Sequence, residues 1–202
     1  MKLRTLLLCL AGPALALAEP DALSNSQAYL AATLAALNTP KMKDAPIQVN
    51  AAISNATGVQ ENYGAKAIVA IPDEKVIKLD LAHLPDAAQP LCRLWVKGYT
   101  LARNNKAIIS EKAAKLKVDA EGEKHDVTVW LIGVRKSKNG KPEIIVCADQ
   151  KAPALILPAT AVKAPTVANK DAPIDVSASD TELRLTILGS HEITLELRAT
   201  ES

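Results

Sequence analysis

The chain has 202 residues, enough for one ordinary domain, and carries 24 Lys and Arg against 22 Asp and Glu. This near-neutral balance argues against a dedicated nucleic-acid-binding protein, which needs a basic excess to displace counterions from phosphates. With no Phe, two Trp and three Tyr, the chain must build an aliphatic core and has few rings to spare for stacking on bases or sugars.

The first residues predict a signal peptide. Lys2 and Arg4 precede an apolar stretch, and Ala-Leu-Ala at 16–18 matches the small-x-small pattern that a signal peptidase accepts. We expect residues 1–18 to be removed after Ala18, so the mature protein would be periplasmic or secreted. The leader holds two of the basic residues and none of the acidic ones, which makes the mature chain neutral. No later stretch approaches the ~20 apolar residues of a transmembrane helix, and we therefore expect no membrane span.

Residues 19–45 form an N-terminal segment with one predicted helix, over residues 21–38. Ser24 and Gln27 have the spacing of a capping box, and the Asn-Thr-Pro sequence at 38–40 ends the helix. Four leucines recur at helical spacing: Leu23, Leu30, Leu34 and Leu37. We expect this apolar stripe to pack against the rest of the domain.

Residues 46–150 are predicted to form a β domain. Apolar residues alternate over 47–53 and 77–81, and apolar runs cover 65–71 and 91–99. Many short strands with turns between them are typical of an antiparallel β-sandwich. The predicted fold is therefore mostly β, an antiparallel sandwich-like domain with one N-terminal amphipathic helix, and an α+β fold is the alternative.

A β-hairpin around Asn139-Gly140 is the strongest local pattern. This dipeptide favours a two-residue type I′ turn, in which both positions need a positive φ. The turn would pair strand 126–135 with the return strand and set Ile132 opposite Cys147, on one apolar face.

Two cysteines, Cys92 and Cys147, remain after removal of the leader. Two cysteines in an oxidising compartment allow one disulfide, and the predicted hairpin register aims Cys147 at the core, where strand 91–99 delivers Cys92. A disulfide between them is the prediction. A pair of free thiols and an intermolecular bridge are the alternatives.

Residues 151–173 contain four prolines among many alanines and are predicted to be an extended connection, with an edge strand at 155–157. Residues 174–202 follow as a C-terminal β-hairpin, either packed on the main domain or separate from it. Apolar residues alternate on both of its strands. A three-residue loop at 188–190 keeps them on one face, with Leu185 opposite Ile193.

No catalytic motif stands out in the sequence. No serine lies in Gly-x-Ser-x-Gly, there is no Cys-x-x-Cys, and His83, His125 and His191 lack the short spacing of a preformed metal site. We expect no metal and no cofactor, and we favour a protein that is not an enzyme.

Basic residues cluster between positions 93 and 141, where the sequence has twelve Lys and Arg but only five Asp and Glu. Four of them crowd the tip of the predicted hairpin: Arg135, Lys136, Lys138 and Lys141. This pattern predicts a surface for an anionic envelope component or an acidic protein. Mutual neutralisation of basic and acidic segments within the fold is the alternative.

The predicted function is that of a secreted or periplasmic, non-enzymatic binding or structural module. Two other classes remain open. One is an envelope hydrolase with a site assembled from distant residues. The other is an assembly subunit or chaperone that exchanges strands at an open sheet edge, supplied by segment 155–157 or by the C-terminal hairpin.

Overall fold

The computed structural model describes residues 20–61, 65–108, 112–120, 123–164 and 170–200. The predicted signal peptide, residues 1–18, lies outside the described residues. Helix α1 spans Asn25–Asn38. The strands are β1 (Asp21–Ala22), β2 (Thr57–Glu61), β3 (Lys66–Pro72), β4 (Gln89–Lys97), β5 (Tyr99–Arg103), β6 (Lys106–Ala107), β7 (Ala114–Ala120), β8 (Glu123–Lys136), β9 (Pro142–Cys147), β10 (Leu155–Pro158), β11 (Thr160–Ala161), β12 (Ile174–Ala178), β13 (Glu182–Ile187) and β14 (His191–Ala199).

The strands form two antiparallel sheets. Sheet A has the order β1-β2-β3-β4-β8-β9-β10, with β7 also paired to β8. Sheet B has the order β12-β13-β14-β5-β6, with β11 also paired to β14. The predicted mostly β, antiparallel fold is confirmed, and α1 is the single α-helix of the described residues.

An inner core fills the space between the two sheets. Sheet A contributes Leu94, Trp130 and Ile132, and sheet B contributes Leu183 and Leu185, all almost completely buried. The C-terminal hairpin therefore shares its hydrophobic core with the rest of the protein.

An outer core covers the other face of sheet A, beneath α1 and the segment that follows it. Ile47 and Val49 are buried there, yet the predicted strand at 47–53 is wrong. Only one bridge, Ala51 to Asp73, links this segment to the sheet. Alternation of apolar and polar residues indicates an extended chain with one buried side. Such a chain can lie across a sheet without forming the regular backbone hydrogen bonds of a strand.

The second alternating segment, 77–81, is not a strand either, because a 3-10 turn forms at Val76–Lys78. Val76 and Leu81 are nevertheless buried in the inner core. Two of the alternating residues, Ile77 and Leu79, are only half-buried. An irregular loop can therefore bury some of its apolar residues although its backbone is not extended.

The central hairpin forms, but its predicted register is wrong by one residue. Ile132 pairs with Val146, and Leu131 pairs with Cys147. Asn139 has a negative φ and only Gly140 is left-handed, at φ 78°. The turn is therefore a three-residue loop, 138–140, in place of a type I′ turn.

The predicted Cys92–Cys147 disulfide is wrong, and both thiols are free and buried. Cys92 lies in the inner core and Cys147 in the outer core, on opposite faces of sheet A. Strand β8 runs between them, which places their Cα atoms roughly 9–10 Å apart at the usual strand spacing. A disulfide needs less than about 7 Å. The one-residue shift of the hairpin moves Cys147 to the other face.

Two further predictions are confirmed. Leu185 pairs with Ile193 across the three-residue loop of the C-terminal hairpin. The segment at 155–157 lies in β10, which is the edge strand of sheet A. The C-terminal hairpin itself offers no free edge, because β13 lies between β12 and β14, and β14 pairs further with β5 and β11.

Candidate docking surface around helix α1

Helix α1 begins at Asn25 and not at the predicted residue 21, because Asp21 and Ala22 form β1, but the predicted capping box does form. The Ser24 hydroxyl accepts a hydrogen bond from the Gln27 backbone N–H at 3.4 Å, and the Gln27 side-chain oxygen accepts one from the Ser24 backbone N–H at 3.0 Å. This reciprocal capping box satisfies two of the donors that a helix N-terminus leaves free. The helix ends at Asn38, before Pro40, which cannot continue it.

The predicted packing face of the helix is wrong. Its buried side chains are three alanines at helical spacing, Ala28, Ala32 and Ala35. Both stripes of the helix are apolar, so periodicity does not decide which one turns inward. Alanine has the smaller side chain and lets the helix backbone approach the sheet closely.

The leucines of α1 consequently point to solvent. Leu30 is 62% exposed, Leu34 is 47% exposed and Leu37 is 79% exposed, and Tyr29 beside them is 51% exposed. Apart from Ile156 on β10, these four are the exposed large apolar side chains of the described residues. The largest contiguous apolar patch on a protein surface is often functional, and larger patches mark interaction sites.

The helix carries no charged residue over its whole length. An exposed helix normally turns charged side chains toward water. The absence of charge between positions 25 and 38 is thus the sequence signal that could have revealed a two-sided apolar helix. The spacing of the leucines alone does not show this.

A shallow apolar groove of about 150 Å³ runs along one flank of the helix. Ala31 and Leu34 form its helical wall, and Val69, Trp95 and Val127 of sheet A form its floor. The groove continues the outward leucine surface onto the sheet.

A second cavity, of about 260 Å³, lies at the C-terminal end of the helix. Thr39 and Lys41 line one side of it, and Arg93 of β4 lines the other. The Trp95 indole N–H donates a 3.3 Å hydrogen bond to the Thr39 hydroxyl and so ties the helix end to the sheet. Sequence analysis did not single out Arg93, because it lies within an otherwise apolar run.

The structure divides the predicted basic surface. Lys136, Lys138 and Lys141 are exposed around the β8–β9 turn, but Arg135 forms a 2.6 Å ion pair with Glu143 across the hairpin. Lys115, on β7, pairs with Thr128 in the middle of β8. Thr128 and Lys136 are eight residues apart along β8, so Lys115 and the lysines of the turn are separated by roughly 26 Å at ~3.3 Å per residue.

The cysteine thiols are not poised for chemistry. Burial raises the pKa of Cys147 to about 11 and raises the pKa of Cys92 further. Only the thiolate is a nucleophile, so neither residue is reactive near neutral pH.

The histidines lie on separate elements. His83 is exposed beside Asp80 at 2.8 Å, and this hydrogen bond lowers the pKa of the Asp80 carboxyl. His191 begins β14, and the side chain of His125 lies outside the described residues. Across the described part of the chain, no three His, Cys, Asp or Glu side chains gather as metal ligands do.

Within the described ranges, no helix is both long and apolar enough to cross a membrane. Comparisons with protein-family models, with curated protein sequences and with solved structures give no significant match.

Proposed function

We propose that this chain is a secreted or periplasmic, non-enzymatic binding module that docks reversibly on an anionic phospholipid surface through the outward face of α1. In this proposal the signal peptide is cleaved after Ala18, and all of the described residues belong to the mature chain. The observation that carries the proposal is the orientation of the helix, with alanines inward and Leu30, Leu34 and Leu37 outward.

Charge supports an anionic lipid surface as the occupant. Between residues 23 and 43 there is no acidic residue, and exposed Lys41 and Lys43 follow the helix directly. Each lysine near an anionic membrane contributes about 1 kcal/mol.

Size argues against a second copy of the chain as the occupant. Four exposed apolar side chains on one helix make a patch on the order of a few hundred Å². Two such patches together fall short of the ~1,200 Å² that stable protein interfaces bury. A bilayer sets no such minimum, since it adapts its shape to a convex helix.

The expected affinity is modest. Inserting a partly exposed leucine is worth about 1.5 kcal/mol, the low end of the value for full burial. Three leucines and two lysines then give an association constant of about 10⁴–10⁵ M⁻¹, comparable to a single acyl anchor. Docking would therefore be reversible and would weaken with added salt.

Sedimentation with vesicles tests the proposal. The protein without residues 1–18 is mixed with vesicles of phosphatidylglycerol and phosphatidylcholine, or of phosphatidylcholine alone. We expect binding to the mixed vesicles only. The triple variant Leu30→Ser, Leu34→Ser, Leu37→Ser should lose at least about tenfold in affinity, because it removes the inserting side chains. Its fold should survive, since all three residues are exposed.

Ile156→Ser is the matched control, because it removes an exposed apolar side chain far from the helix along the chain. This variant should bind as the parent does. Unchanged binding of the triple variant would refute docking through α1. A leucine-dependent dimer in sedimentation velocity, without vesicle binding, would identify a second copy as the occupant.

The β8–β9 turn supports a second candidate, an acidic polymer or protein as partner. Lys136, Lys138 and Lys141 are exposed, and no carboxylate partner is found for them among the described contacts. Retention on a heparin column tests this candidate beside the vesicle experiment. Loss of retention in the triple variant of these lysines to Gln, with the leucine variant retained as the parent is, would favour the hairpin turn.

A further inference from the structure

Arg93 occupies an unusual place in the fold. It lies on β4, directly between Ile71 of β3 and Leu131 of β8, on the outer face of sheet A. Both neighbours are buried apolar residues. The arginine side chain faces the cavity of about 260 Å³ at the C-terminal end of α1.

The guanidinium of Arg93 is poorly satisfied. Its Nε is buried without a hydrogen-bond partner, and its Nη2 reaches the Val49 carbonyl oxygen only at 3.5 Å. No carboxylate pairs with it among the described residues, and burial lowers its pKa. An unsatisfied buried donor costs about 1–3 kcal/mol, so the position of Arg93 needs an explanation, which a ligand on the side of the guanidinium that lines the cavity would provide.

The remaining lining makes the cavity positive. Lys41 adds a second full charge on the helix side. The carbonyl end of α1 opposes these charges with only about half an elementary charge. Two of its carbonyls are already occupied, because the Thr39 hydroxyl donates to Ala35 at 2.6 Å and the Asn38 amide donates to Leu34 at 2.8 Å.

We propose that this cavity binds a phosphate group through the guanidinium of Arg93 and the ammonium of Lys41. Arginine offers parallel N–H donors that match phosphate oxygens. A phosphate monoester carries about 1.5–2 negative charges at neutral pH and a phosphodiester about one, so the two cations attract either. A cavity of about 260 Å³ holds the volume of about nine waters at ~30 Å³ each, which is room for a phosphate and part of its ester. The phosphate comes either from a free ester or from a phospholipid headgroup. The site does not depend on vesicle docking by the leucines.

The two tryptophans provide a local readout. Trp95 is hydrogen-bonded to Thr39 of the cavity, whereas Trp130 lies in the inner core on the other face of sheet A. Inorganic phosphate is titrated at constant ionic strength while the two indole N–H signals are followed by NMR. We expect the Trp95 signal to move with saturation and the Trp130 signal to stay. An equal response to chloride would overturn the proposal, because it would report ionic strength alone.

Variants assign the response to the cavity. Arg93→Lys keeps the charge but loses the paired donors, and should weaken phosphate binding about tenfold. Lys41→Gln should weaken it several-fold, and Lys163→Gln, at an exposed lysine that follows β11 of sheet B, is the matched control with no effect. A response that survives Arg93→Lys and Lys41→Gln unchanged would overturn the proposal.

A second titration, with monomeric dihexanoylphosphatidylglycerol, separates the two sources. Arg93-dependent movement of the Trp95 signal with both probes indicates a site for free phosphate esters. Movement with the lipid alone indicates a headgroup site. If neither probe moves the signal, the proposal is wrong. The triple leucine variant should keep the phosphate-dependent movement of the Trp95 signal. Failure of vesicle docking would therefore not imply failure of phosphate binding in the cavity.

Discussion

The two hairpins β8–β9 and β13–β14 differ in how many of their faces are buried. In β8–β9, Ile132 and Ile144 enter the inner core, while Leu131 and Ile145 enter the outer core. In β13–β14, apolar residues fill the inner core and polar residues occupy the solvent face.

This difference determines what specifies the register of each hairpin. A one-residue slip of β13–β14 would turn its leucines into water, so burial itself selects the observed pairing. The same slip of β8–β9 exchanges one buried apolar row for another. Its register depends on the turn, where Gly140 takes the left-handed conformation.

The two hairpins should differ most in the loss of stability caused by a polar substitution on the face that does not enter the inner core. This face is buried in β8–β9 and exposed in β13–β14. Ile145→Gln places an amide in the outer core and should destabilise the protein by about 4 kcal/mol or more. Thr194→Gln, on the exposed face of β14, should change the free energy of unfolding by less than about 0.5 kcal/mol. Urea unfolding followed by tryptophan fluorescence measures both.

If Ile145→Gln does not fold, Ile145→Val provides the measurement, with an expected cost of about 1 kcal/mol. Equal effects of Ile145→Gln and Thr194→Gln would mean that the second face of β9 is not buried.

The β8–β9 turn should give an intermediate effect. Gly140→Ala forces a side chain into the left-handed region and should cost about 1 kcal/mol. Asn139→Ala should be almost silent, because Asn139 has a negative φ. In a type I′ turn both positions need a positive φ, so comparable losses at 139 and 140 would restore the register predicted from the sequence.

The smallest expected effect is a pH dependence of the free energy of unfolding that arises from His191 on β14. Burial lowers the pKa of His191 in the folded state, so the unfolded chain binds more protons near the ordinary histidine pKa of about 6.5. The stability that depends on a neutral His191 is fully present above that pKa and is lost as the pH falls below it toward the lower pKa of the folded state. His191→Gln should reduce the loss of stability between about pH 7.5 and about pH 5.5. An identical pH dependence in the variant would contradict this assignment.

Sequence patterns were reliable where one short stretch contains all the interacting groups. The capping box of Ser24 and Gln27 places the start of α1 correctly. Sequence patterns failed where two apolar surfaces compete for one core, as the leucine and alanine stripes of α1 do. A two-residue loop with a positive φ at both positions does occur at Asn104 and Asn105, with φ of 51° and 58°. It joins β5 to β6, and β6 has only two residues, too few to show an alternating pattern.

The candidate site was largely beyond prediction, because its parts are distant in the chain. Arg93 reaches the C-terminal end of α1 only after β4 has paired within sheet A and the helix has packed across it. The predicted cysteine pair shows the same limit, since the face of Cys147 depends on a register that neither strand specifies alone.

By itself the sequence determined the mostly β class, the capping box and the C-terminal end of α1, the edge strand β10 and the register of β13–β14. Each of these follows from local hydrogen bonding or from a strand with one apolar face. Only the tertiary structure decided which face of α1 reaches solvent, which core receives each cysteine and what surrounds Arg93. These depend on competition between surfaces for the same buried space, and that competition is resolved when the sheets and the helix pack together.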